Sequence, residues 1–164
     1  MKIRTVIFTL FGLVLFSGCA TTTAQKEVRG AENSYKLIKA SQVPVDYLEY
    51  SEGKKEFLVY YSDTDSDLEA FAREYQKLTD GEVPQFEGSM IIAKSGTKPN
   101  GGYKISIQSV KDIGRYNEVT ILLESPGEGC FATSALINPY VIVLLEDSHK
   151  DVKFVEKSVK VDCR

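Results

Sequence analysis

The amino-acid sequence predicts a mainly β domain, an antiparallel β-sandwich or strongly bent sheet carrying one amphipathic helix over about residues 66–79. Three observations carry this. Short aromatic and β-branched runs recur from Glu56 onward, turn residues separate them, and only one stretch repeats its apolar residues at helical spacing. The helix comes early and the strands can pair locally, so no β-α-β crossover is required.

Tyr47–Tyr50 and Glu56–Tyr61 (EFLVYY), separated by Ser51-Glu52-Gly53-Lys54-Lys55, are expected to form a hairpin. Leu68, Phe71, Tyr75 and Leu78 then share one helical face. Asp63, Thr64 or Ser66 can cap its start, and Gly81 lies just past its end. Ser89–Lys94 is the next strand. Tyr103–Val110 alternates, with Tyr103, Ile105 and Ile107 on one face, and Glu118–Glu124 follows. If these two form a hairpin turning at Gly114, Lys104 stands opposite Glu124. Tyr140–Leu145 (YVIVLL) is unbroken apolar sequence, which implies burial on both faces. Val152–Val161 completes the set.

The length of 164 residues fits one domain behind a leader. Lys2 and Arg4 precede an apolar stretch, Val6–Phe16, and the small residues Ser17-Gly18 lead into Cys19. About eleven apolar residues are too few to cross a bilayer, which takes roughly 20, but they suit the core of a cleaved signal. Residues 1–18 are therefore expected to be a signal peptide. Residues 19–34 are polar and aperiodic, as in a tether, and 35–164 form a single β-rich domain. Without Lys2 and Arg4, 18 basic residues face 23 acidic ones, net −5. That balance argues against nucleic acid or an anionic bilayer surface as the partner, since both call for a basic patch. His149 is the single histidine, so no multi-histidine metal site can form.

Ser17-Gly18-Cys19 resembles the lipobox of bacterial lipoproteins, with Phe16 where Leu is most common. The resemblance implies cleavage before Cys19, acylation of that residue and anchoring in the cell envelope by several chains. Ala20, in place of Asp, is similar to the outer-membrane sorting pattern of bacteria with two membranes.

Turn-forming residues concentrate in three places: Thr97-Lys98-Pro99-Asn100-Gly101-Gly102, Ser125-Pro126-Gly127-Glu128-Gly129-Cys130 and Asn138-Pro139-Tyr140. The hairpin register brings the first two to one end of the sheet, and the strand starting after Ala135 should bring the third alongside. Glycine and proline more often merely shape turns, but loops gathered on a rigid scaffold also serve as binding surfaces. Tyr103 and Tyr140 are the aromatic candidates for anchoring a partner.

These motifs, continued through Tyr103 and through Pro139-Tyr140-Val141-Ile142-Val143, resemble the C-terminal domain of the protease-complex subunit PrcB family over roughly Ser89–Val155. Asn100 replaces the Thr or Ser common there. The resemblance implies a secreted or lipid-anchored accessory subunit that assists an extracellular protease without peptidase chemistry of its own. A more distant likeness runs to chagasin-type cysteine-protease inhibitors, which array an Asn-Pro-Thr-Thr-Gly-Tyr-like loop and two others at one end of a β-sandwich. In that case contact would inhibit; the other alternative is a structural envelope lipoprotein without a protease partner.

No cofactor, metal or catalytic residue is expected. Once Cys19 is acylated, Cys130 and Cys163 are the remaining thiols, and an oxidising envelope favours a disulfide between them. A nucleophilic Cys130 would have only His149 as base, in a polar turn beside Asp147 and Lys150. Asp63, Asp65, Asp67 and Glu74 occupy calcium-loop positions, yet Leu68 stands where the sharp turn needs Gly. An acidic helix start explains them better. Gly96–Gly102 lacks a Gly-Lys-Ser/Thr ending, and Ser125 and Ser134 lack a Gly-x-Ser-x-Gly context.

Overall fold

The computed structural model describes residues 35–45, 53–146 and 148–162. Among these residues two sheets face each other and one helix covers the outside of the larger. The elements run β1 (Lys36–Pro44), β2 (Lys55–Tyr61), α1 (Asp65–Leu78), β3 (Ser89–Ser95), β4 (Lys104–Asp112), β5 (Tyr116–Pro126), β6 (Ile137–Leu145) and β7 (Asp151–Val161). The first sheet has the order β1-β6-β3-β2 and the second β4-β5-β7.

The mainly β, two-sheet architecture with its amphipathic helix matches the sequence expectation, and α1 is displaced from the expected bounds by one residue. Glu56–Tyr61 lies in β2, paired with β3 rather than with an adjacent hairpin strand. Its expected partner, Tyr47–Tyr50, falls outside the described residues. Lys36–Pro44 was not expected as a strand. It lies at the sheet edge against β6, with a bulge between Leu37 and Lys39, and most of its residues are exposed or half-buried. Without a buried face it lacks the apolar alternation by which strands are read.

Pairing departs from all-antiparallel at one place. β7 runs parallel to β5, Tyr116 opposite Asp151 through Pro126 opposite Val161. The reason is topological. After β5 the chain crosses to the other sheet, returns along β6 and re-enters beside β5 from the end where β5 began. β7 must therefore point the same way.

The unbroken apolar run of β6 is buried on both faces, as expected, and β3 shares the arrangement. Ile91, Ala93, Val141, Val143 and Leu145 face the second sheet, meeting Ile105, Ile107, Val119 and Ile121. The alternate residues Met90, Ile92, Tyr140, Ile142 and Leu144 face α1 through Phe71 and Tyr75. Each fully buried side chain of this kind contributes about 1.5–3 kcal/mol. Phe71 is the centre of the helix-side cluster, its ring 5.6 Å from Tyr60, 5.5 Å from Tyr75 and 5.1 Å from Phe86.

The helix begins after Thr64, whose side chain makes no capping bond. Asp65 and Asp67 lie in the first turn, where the helix dipole favours negative charge. Asp67 also accepts the Tyr61 backbone N–H at 3.0 Å, and Glu74 pairs with Lys94, so two members of the calcium-like pattern have structural roles. Lys94 Nζ lies 2.6 Å from both Glu56 and Glu74, binding α1 to β2 and β3. Burial alone would raise the Glu74 pKa, but the hydrogen bonds and charges of Lys94 and Lys77 more than offset it and lower the value. Burial and the carboxylates of Glu74, Glu56 and Asp67 push the neighbouring Tyr60 phenol up to about 12.

Two outcomes follow. Phe71→Ala should cost about 3–5 kcal/mol in denaturant unfolding. A loss under 1 kcal/mol would mean that α1 is not packed as described. Because the folded-state pKa of Glu74 lies below its ordinary 4.5, its ion pair adds stability above that value. The contribution is lost as pH falls through the folded-state pKa. Glu74→Gln should therefore lower stability at neutral pH and flatten the acid limb of the stability–pH curve. An acid limb identical to wild type would refute the linkage.

Candidate functional site

The β4–β5 register sets Lys104 opposite Glu124, as expected; the turn itself centres between Gly114 and Arg115, and a bulge between Ile107 and Ser109 shifts the pairing by one. The segments before β4 and after β5 consequently meet at one end of the sandwich, the loop pole. A Cβ added to Gly102 would lie 3.0 Å from Pro126 Cβ, so the two loops are in contact.

Backbone hydrogen bonds fix the first loop, Gly96–Tyr103. The Thr97 N–H donates to Gly53 O at 2.9 Å. Lys98 and Ile137 exchange N–H···O bonds at 2.7 and 3.1 Å, and the Gly101 N–H reaches Thr133 O at 3.0 Å. From β1, the Gln42 side-chain amide donates to Gly101 O at 3.1 Å and Tyr103 O at 3.0 Å. Asn100 Oδ1 accepts the Gly102 N–H at 3.0 Å, a short Asx-type bond that closes the turn. Pro99 is exposed at the tip, and the Lys98 ammonium lies 5.8 Å from the half-buried Tyr103 ring.

β7 holds the second loop. The Gly127 N–H donates to Val161 O at 2.8 Å and the Ser125 hydroxyl to Val159 O at 3.3 Å. Gly129 adopts φ 81° with open space around it. Cys130 Sγ stands 3.4 Å from Val161 O, two residues before Cys163, which lies outside the described residues. The chain then emerges at Phe131, whose side chain is fully exposed, with a relative exposure of 104%. Sequence reasoning passed over this residue. Its only signal is one aromatic within Gly127–Ala135, a stretch otherwise made of small and polar residues.

The third expected loop is not a loop. Asn138, Pro139 and Tyr140 belong to β6, where Gln42 is opposite Pro139 and Ser41 opposite Tyr140. Pro139 and Tyr140 are buried. The Tyr140 hydroxyl donates to Leu78 O at 2.9 Å, and burial raises its pKa. It ties the helix end to the sheet and offers no surface to a partner. The third segment at the pole is instead Phe131–Leu136, held through Thr133 O and through Leu136 O, which accepts the Val45 N–H at 3.0 Å.

His149 sits at the opposite end, its Nε2 3.4 Å from Ser62 Oγ, with the whole length of β6 and β7 between it and Cys130. Cys130 thus has no base beside it from that residue. Among the described residues no group of three His, Cys, Asp or Glu side chains could hold a metal ion. The loop pole combines a largely fixed backbone, the Lys98 ammonium near the Tyr103 ring, and the fully exposed Phe131.

Gly96, at φ +75°, is the pivot from β3 into the first loop, and a Cβ there would lie 2.8 Å from Gly53 O and 2.9 Å from Lys55 N. Gly96→Ala should destabilise the domain by about 1–3 kcal/mol in thermal or denaturant unfolding. Wild-type stability would show that the backbone relaxes freely there.

The family model described as PrcB C-terminal matches residues 89–146. No curated protein and no solved structure matches the chain. The matched stretch ends at Glu146, short of the expected Val155, and covers β3 through β6 with both loops between them. Residues 89–146, about a third of the chain, are similar to the PrcB C-terminal family, and they are the part that builds the loop pole.

Proposed function

We propose that this chain is a lipid-anchored, non-catalytic accessory subunit of an extracellular or envelope protease, held at Cys19 and docking through its loop pole. In bacteria with two membranes the anchor lies in the outer one. The observation that carries the reading is Phe131, fully exposed beside a loop whose backbone is fixed. A large exposed aromatic on a rigid support is the usual form of a binding anchor, since little side-chain freedom is lost on docking. The PrcB C-terminal similarity supports a protease complex as the destination.

Phe131→Ser, made in the full-length lipidated chain, should leave the unfolding midpoint unchanged. It should cut recovery of a peptidase in co-purification from envelopes at least about tenfold, the factor for 1.4 kcal/mol. Equal recovery by variant and wild type would remove the docking assignment. Activity of the captured peptidase, measured with and without the subunit, separates assistance from the inhibition implied by the chagasin-type likeness.

We also assign a disulfide to Cys130 and Cys163, closing the second loop onto the strand beside it. The chain-entropy model gives such a bridge about 3–4 kcal/mol. Thiol-reactive probes should label neither cysteine until a reductant is added, and reduction should lower the unfolding temperature. Rapid labelling of the native protein at Cys130 would instead favour a reactive thiol.

A further inference from the structure

The strand directions separate the two ends of the molecule. β1 starts at the pole opposite the loops, Lys36 standing opposite Leu144, and runs to Pro44, opposite Ile137 at the loop pole. Tyr35, where the described domain begins, is buried, and its hydroxyl donates to Ile107 O at 2.8 Å, so the start of β1 is fixed to both sheets. The β4–β5 hairpin tip at Ile113–Arg115 shares that far pole. Nine residues of β6 lie between the poles, about 27 Å at the usual strand rise.

The geometry points to a polarised mounting. The domain joins its tether at the far pole, and the loop pole with Phe131 is turned away from the lipid, so the protein partner engages it from the aqueous side. This rests on the anchor at Cys19 proposed above. Fifteen residues, Ala20–Ser34, separate that cysteine from Tyr35. A random chain of this length spans roughly 20 Å on root mean square and at most about 50 Å when fully drawn out. With the far pole toward the lipid the tether keeps its ordinary span. Turning the loop pole to the lipid lifts the attachment point by the length of the sandwich, which exceeds that root-mean-square span and draws the tether out to about half of its full reach. The upright arrangement is the one the chain length favours.

The test uses the full-length lipidated protein in phosphatidylcholine–phosphatidylglycerol vesicles carrying a headgroup spin label. A fluorophore is attached through Arg115→Cys at the far pole or Ser134→Cys at the loop pole, both exposed positions, without reductant. The Arg115 probe should be quenched several-fold more than the Ser134 probe. Deleting Lys26–Asn33 leaves seven tether residues, which reach at most about 25 Å, too short for the inverted arrangement. The quenching order and peptidase capture should survive the deletion. Equal quenching, stronger quenching at Ser134, or loss of capture in the shortened chain would overturn the mounting while leaving the anchor intact. Failure to float with vesicles would overturn the anchor and the mounting together, and the docking role of Phe131 would stand on its own capture assay.

Discussion

The structure depends on two strands that are buried on both sides. β3 and β6 form the centre of the larger sheet, and neither has a face in water. One set of their side chains closes the sandwich and the alternate set receives the helix. Close packing on both faces leaves little freedom to shift register, because a slip of one residue would exchange the two sets and put the Tyr140 ring where Val141 belongs. The loop pole inherits its rigidity from this. Its first loop leaves from the end of β3, and the Lys98–Ile137 exchange ties it to the start of β6.

Much of this was legible in the sequence where a periodic or compositional signal existed. Leu68, Phe71, Tyr75 and Leu78 mark the helix, and a hairpin turning near Gly114 places Lys104 opposite Glu124, although the bulge between Ile107 and Ser109 has no signal in the sequence. Signals failed where the environment, rather than the residue, decides. Asn138-Pro139 looked like a break, but proline is tolerated in β6 near the start of the strand. The tyrosine after it is drawn inward by the apolar neighbours that follow. The edge strand β1 carries Lys36, Lys39, Ser41 and Gln42 on exposed or half-buried positions, so nothing in its pattern separates it from a loop. Phe131 carries no periodic signal, standing alone among small and polar residues, and only the fold shows that no core reaches it.

The loop pole combines constraint and exposure in a way that suits recognition. Nearly every loop segment there is held by main-chain bonds to a neighbour, and the side chains it presents include the proline Pro99, a half-buried lysine beside a tyrosine, and the bare Phe131 among small and polar residues. Among the described residues Thr97 Oγ1 and Asn138 Oδ1 are buried there without a hydrogen-bond partner, a cost of about 1–3 kcal/mol for each such group. Both lie where the first loop meets β6.

The pairing of β1 with β6 bears on how the protein is made. The closest matched residues, Pro44 and Ile137, are separated by about ninety positions, so the first strand translated has no partner until the second-last one exists. A nascent chain lacking its final quarter has no β6 to join β1 to β3, so the larger sheet stays open. Closure of the larger sheet therefore waits on the last quarter of the chain, and the first strand stays unpaired in it until then.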